Sequence, residues 1–135
     1  MRICRSRASL SALLSLCVAS LSVGCQPEST GPKDRATLSG TVSLAGTPLR
    51  GGTISFKSTT NPVTTSAMIY AGGKYSTDRA PLGKNIVTIE TESLKYGNAK
   101  DYVQIPNRYA DPSSSGLTAD IKPGDNTDVN FELNK

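Results

Sequence analysis

Histidine and tryptophan are both absent from this chain of 135 residues, and aromatic residues make up only 5% of it. Without histidine the protein lacks the side chain that most often moves protons near neutral pH and most often ligates transition metals. Cysteine is sparse and confined to the N-terminal end, at Cys4, Cys17 and Cys25. A sustained helical stripe of apolar residues is missing from Ala36 onward. Charge of one sign is also missing from most of the chain. The formal charge of +4 owes much to Arg2, Arg5 and Arg7; without them twelve basic residues face eleven acidic ones, a net +1. Interspersed charge near neutrality leaves no electrostatic footprint for nucleic acid. The length allows one domain.

What is present begins at the N-terminus. Three arginines in the first seven residues precede an uncharged stretch, 8–23, rich in Leu, Ala, Val and Ser. This is the layout of an export signal, with a basic start, an apolar core and small residues before the cut. The apolar run is too short and too Ser-rich for a transmembrane helix, which needs about 20 apolar residues. Ser22-Val23-Gly24-Cys25 resembles a bacterial lipobox, although Ser22 stands where Leu is usual. The resemblance implies cleavage before Cys25 and lipidation of its thiol and new amino group. The alternative is an ordinary signal peptide cut elsewhere. Cys4 and Cys17 fall inside the signal, so Cys25 is the single cysteine expected in the mature chain and no intrachain disulfide forms. Gln26 stands where an Asp would resemble an inner-membrane retention signal, which points to the outer membrane. Stable anchoring takes at least two acyl chains, at about 0.8 kcal/mol per buried CH₂.

Residues 25–35 contain two Pro, a Gly and several charges with no large apolar residue, and read as a flexible tether. From Ala36 the hydrophobic period is two. Leu38, Val42 and Leu44 share one parity with Gly40, while Ser39, Thr41 and Ser43 take the other. The same alternation predicts strands at 53–57, 66–70, 74–77, 85–91, 101–105, 117–121 and 129–133. Turns are expected at 45–48, 71–73, 81–83 and 123–126, where Gly, Pro and Asn cluster. Seven or eight short strands at a spacing of roughly ten residues predict an all-β fold, a single antiparallel β-sandwich over 36–135. Phe131 is expected in its core.

The block Ser39-Gly40-Thr41-Val42-Ser43-Leu44-Ala45-Gly46-Thr47-Pro48-Leu49, followed by Gly51-Gly52-Thr53-Ile54-Ser55-Phe56, resembles the opening of a carboxypeptidase regulatory-like domain. Gly73-Lys74-Tyr75-Ser76 and Ala80-Pro81-Leu82-Gly83-Lys84 resemble its middle. The segment from Ile105 to Thr118, IPNRYADPSSSGLT, looks like a signature of small bacterial lipoproteins that carry this domain. The resemblance implies a prealbumin, or transthyretin-like, sandwich and implies no peptidase activity.

Candidate sites are few. Residues 106–116 make a long connection for a sandwich, and unusual loops are often functional. There Arg108, Tyr109 and Asp111 form a candidate binding loop for a sugar or a partner protein. The competing and preferred reading is that Tyr109 folds back and pins the loop to the sandwich edge, as a tyrosine corner does. Asp111, Asp120, Asp125, Asn126 and Asp128 offer oxygens suited to Ca²⁺, but no calcium-loop spacing joins them and Pro123-Gly124-Asp125-Asn126 reads as a turn. No metal or cofactor is expected. Ser113, Ser114 and Ser115 have no partner base and no nucleophile motif. Glu90 and Glu92 read as a solvent-facing row, and residues 95–100 as a basic surface turn. The expected function is a non-catalytic, membrane-anchored module of the cell envelope, facing the periplasm or exterior, monomeric, binding an envelope protein or glycan or serving structurally. The alternative is a small envelope hydrolase working through carboxylate or Tyr chemistry.

Overall fold

The structure, a computed structural model, describes residues 35–135. The expected signal peptide (1–24), the expected lipidation residue Cys25 and all but the last residue of the expected tether (25–35) lie outside the described residues. Arg35, expected as the end of the tether, already belongs to a strand and pairs with Pro81 across a ladder.

The first strand, β1 (Arg35–Leu44), buries Ala36, Leu38, Val42 and Leu44 and turns Thr37, Ser39, Thr41 and Ser43 the other way. Alternation of this kind fits a strand with one face on the core. A tight turn leads to the short β2 (Thr47–Pro48), then to β3 (Gly52–Ser58), β4 (Thr64–Ile69), β5 (Lys74–Pro81) and β6 (Gly83–Glu90). A single helical turn, α1 (Leu94–Gly97), and 3₁₀ turns at Ala99–Asp101 and Asn107–Ala110 precede β7 (Leu117–Ile121), β8 (Asp125–Asn126) and β9 (Phe131–Leu133). One sheet has the order β4-β3-β6-β7. The other is built on β1, which pairs with β5, β2, β8 and β9. The protein is therefore an all-β sandwich.

Phe56 from the first sheet meets Tyr75 and Phe131 from the second at ring centroid separations of 5.8 and 6.4 Å. Tyr75 and Phe131 are 6.3 Å apart. These tilted aromatic contacts lie in the favoured range and join the two layers. Leu38, Val42, Leu49, Ile54, Val87, Ile89 and Leu133 are fully enclosed in the core with Phe56.

Three sequence expectations need correction. The predicted strand at 101–105 is absent. The Val103 carbonyl accepts a hydrogen bond from Thr91 Oγ1 at 2.7 Å, and Pro106 has no N–H to give. Val103 and Ile105 still pack on the core, so their alternation reports burial without a ladder. The sandwich is also not wholly antiparallel. β8 and β9 both run parallel to β1, pairing Leu38 with Asn126 and Val42 with Phe131. A parallel pair needs a long crossover, and here most of the domain lies between the partners. Finally, β5 extends to Pro81, so only Leu82 separates it from β6. The buried Asn85 side chain braces this corner, donating to the carbonyls of Pro81 and Gly83 at 2.8 Å each.

Candidate functional site

Two regions bear on function: the 106–116 loop and a groove on the outer face of the β1–β5 pair.

In the loop, Tyr109 is buried and its hydroxyl lies at the C-terminal backbone. It accepts from the Asn134 N–H at 2.9 Å and stands 3.3 Å from the Asn134 carbonyl. Arg108 Nη2 donates to the same hydroxyl at 3.0 Å and to the Asn134 carbonyl at 3.2 Å. The Arg108 guanidinium also lies 4.8 Å from the centre of the Tyr109 ring, within cation–π range. Burial pushes the Tyr109 phenol up, but the bonds to Asn134 and Arg108 outweigh it and hold the group below the ordinary tyrosine value. Asp111 Oδ1 accepts from the Ser113 N–H and hydroxyl at 2.8 Å each, and the backbone bond foremost lowers its carboxyl. Ser114 Oγ donates back to the Arg108 carbonyl at 3.0 Å. The geometry is that of a pin: Tyr109 faces inward, while Arg108, bonded to Asn134, and Asp111, bonded to Ser113, are exposed but engaged.

The other expected acidic and basic residues are dispersed. Glu90 bonds Ser93, and Glu92 bonds Lys95 and Tyr102, so the two carboxylates are spent on separate partners. Residues 95–100 are exposed, as expected, but lie in α1 and the following 3₁₀ turn. Asn126 closes its turn by accepting from the Lys122 N–H at 3.0 Å and donating to the Lys122 carbonyl at 2.8 Å.

The groove was not anticipated from the sequence. It has a volume of about 380 Å³, within the range of small-ligand sites, roughly 300–1,000 Å³. Its floor is the polar face of β1 and β5, where Ser39 stands opposite Ser76 and Thr41 opposite Lys74. Tyr70, just past the end of β4 and bonded through its N–H to the Lys74 carbonyl, lines the groove on the β5 side and is 63% exposed. Asp128 and Asn130 form the opposite wall, in the segment between β8 and β9 that flanks β1 on the side away from β5.

Two glycines shape this groove. At Gly40 an added Cβ would lie 2.0 Å from the Val129 carbonyl oxygen. Absence of a side chain lets that carbonyl turn inward over β1 and accept from Tyr75 Oη at 2.6 Å. Burial pushes the Tyr75 phenol well above its ordinary value, so it remains a donor. Val129 N–H meanwhile donates to the Ser39 carbonyl, fixing the 128–130 wall between β8 and β9. At Gly73 φ is +73° and an added Cβ would lie 2.2 Å from the Val42 carbonyl oxygen. Only glycine suits that turn, which closes through Tyr70 N–H to the Lys74 carbonyl at 2.8 Å.

Asn130 Oδ1 accepts both the N–H and the hydroxyl of Thr41, at 2.8 and 2.9 Å. That orientation leaves its amide NH₂ as a donor. Among the described residues neither Lys74 nor Asp128 forms an ion pair. Asp128 is the one carboxylate among the residues lining the groove. The groove therefore lacks the carboxyl pair that glycoside hydrolysis ordinarily uses. It offers an aromatic platform, hydroxyls, an amide, an ammonium and a carboxylate, a set suited to holding a hydroxyl-rich ligand. Among the described residues no group of three or more His, Cys, Asp and Glu is placed to hold a metal ion. No protein-family model matches the chain, and a search of curated proteins finds no match.

Proposed function

We propose that this protein is a lipid-anchored, non-catalytic β-sandwich that binds glycan in the cell envelope. The groove on the β1–β5 face carries this reading: an exposed tyrosine stands over a floor of hydroxyls walled by an amide and a carboxylate. Sugars present apolar ring faces and hydroxyl edges, and Tyr supplies a flat amphipathic surface for the former. The envelope location rests on the signal-like N-terminus and the lipobox resemblance at Cys25. The resemblance to carboxypeptidase regulatory-like domains supports a non-catalytic accessory role and a transthyretin-like type of sandwich. No described helix is long and apolar enough to cross a membrane. On the lipobox resemblance, anchoring is assigned to acyl chains on Cys25, with the outer membrane as the destination.

The test is retention of the full chain on immobilised envelope polysaccharide. The native chain should be retained, and Tyr70→Ala should lose most retention while melting at the native temperature. Retention unchanged by Tyr70→Ala removes the groove from the function. Labelled palmitate incorporation that persists in Cys25→Ala removes the anchor assignment.

A further inference from the structure

The groove is polar in the directional sense. Lys74 lies on β5, on one side of β1, and Asp128 lies beside the opposite edge of β1. Two strand spacings separate these walls, roughly 10 Å, which is the length of a disaccharide. Tyr70 stands with Lys74 at the first wall, and the Asn130 amide stands with Asp128 at the second. We infer that the ligand is an oligosaccharide carrying one carboxylate: an acidic sugar at the Tyr70–Lys74 wall and a neutral sugar at the Asp128–Asn130 wall. This assignment rests on the glycan-binding reading above and adds the charge and direction of the ligand.

Each wall supplies its own reason. Lys74 has no carboxylate partner among the described residues, so an ammonium donor stands ready beside the aromatic platform. A carboxylate on the sugar stacked at Tyr70 would accept from it, and charge-assisted bonds are the stronger class. Asp128 is an acceptor only, so it suits adjacent sugar hydroxyls and repels a second carboxylate. Asn130 donates beside it, because its oxygen is committed to Thr41. Ser39, Thr41 and Ser76 line the floor between the walls and can bond hydroxyls in either sense. A neutral glycan would leave Lys74 idle. A polyuronide would place a negative charge against Asp128.

The experiment is titration calorimetry of the full chain with three probes: glucuronosyl-xylose, its carboxyl-reduced counterpart and digalacturonate. Backbone NMR shifts locate the binding. The single-carboxylate disaccharide should bind about tenfold more tightly than the reduced one, with the difference shrinking as salt rises. Lys74→Met should bring those two to equality, and Lys74→Arg should restore the preference. Asp128→Asn should improve digalacturonate most. Equal binding of the acidic and reduced sugars at the groove overturns the charge assignment and leaves the glycan reading standing. Groove shifts absent with all three probes overturn both. Binding that survives both Tyr70→Ala and Lys74→Met lies elsewhere and overturns the site. Groove shifts with a short acidic peptide in place of every sugar move it to protein recognition and overturn the proposal.

Discussion

Gly40 shows how one missing side chain organises several others. Its position in β1 shares the inward parity of Leu38 and Val42, where a strand would ordinarily place an apolar residue. Instead the Val129 carbonyl occupies that space and receives the Tyr75 hydroxyl. Gly40→Ala would drive a methyl group into backbone rather than into a yielding side chain. The expected cost is about 2–3 kcal/mol, as for overpacking elsewhere, read as a lower urea midpoint at unchanged slope. A midpoint equal to that of the native chain would mean that the Val129 carbonyl does not lie over β1. The same substitution should weaken the groove, because the 128–130 wall is held by the contact it disturbs.

At the scale of elements, the C-terminal strand is tied down by side chains within it and beyond it. At the middle of its ladder with β1, Glu132 accepts from the Ser43 hydroxyl and from the Gly46 N–H, the latter at 2.6 Å. The Ser43 bond foremost, and the Gly46 bond with it, lower the Glu132 carboxyl below its ordinary value of 4.5. A carboxyl with a lowered folded pKa stabilises above its unfolded value and loses that contribution as pH falls through the folded one. Melting temperature should therefore fall from about pH 4.5 downward, and less steeply in Glu132→Gln, whose melt at pH 7 should already be lower. Parallel pH profiles for the two chains would show that this carboxylate does not support the β1–β2 turn. At the far end, Tyr109 holds Asn134 by its N–H and carbonyl. Tyr109→Phe keeps the ring and removes the hydroxyl. It should cost about 1–2 kcal/mol and speed amide exchange at Asn134 above all other positions. Unchanged exchange there would mean that the ring alone closes the loop.

For the molecule as a whole, the described residues contain no cysteine, so the two sheets are held without a disulfide. The aromatic trio of Phe56, Tyr75 and Phe131 spans them. Phe131→Ala should cost about 3–5 kcal/mol, a large share of the stability of a domain this size. A thermal melt with no loss would take Phe131 out of the core. Tyr75 and Phe131 lie on either side of β1, so the loss should also loosen the sheet that carries the groove.

The sequence by itself determined most of the longer strands and which side of each faces the core. Side chains alternate across a strand, and burial selects one parity, so Leu38, Val42, Ile54, Val87, Ile89 and Ile121 were legible at a period of two. It also offered the pinning reading of Tyr109 beside the binding-loop reading, because a buried phenol must find a partner for its hydroxyl. The tertiary structure decided the rest. Val103 and Ile105 alternate as a strand does, yet their segment forms none, since a ladder depends on a neighbour that local pattern does not specify. The parallel pairing of β9 with β1 joins residues 89 positions apart, such as Ser43 and Glu132. The groove is assembled in the same way: Thr41 and Asn130 meet across an equal separation, with Tyr70 and Lys74 arriving from a third place in the chain. No single sequence motif joins these residues. Their chemistry exists only once the strand order is set, because long-range pairing, and not local propensity, determines which outward-facing side chains become neighbours.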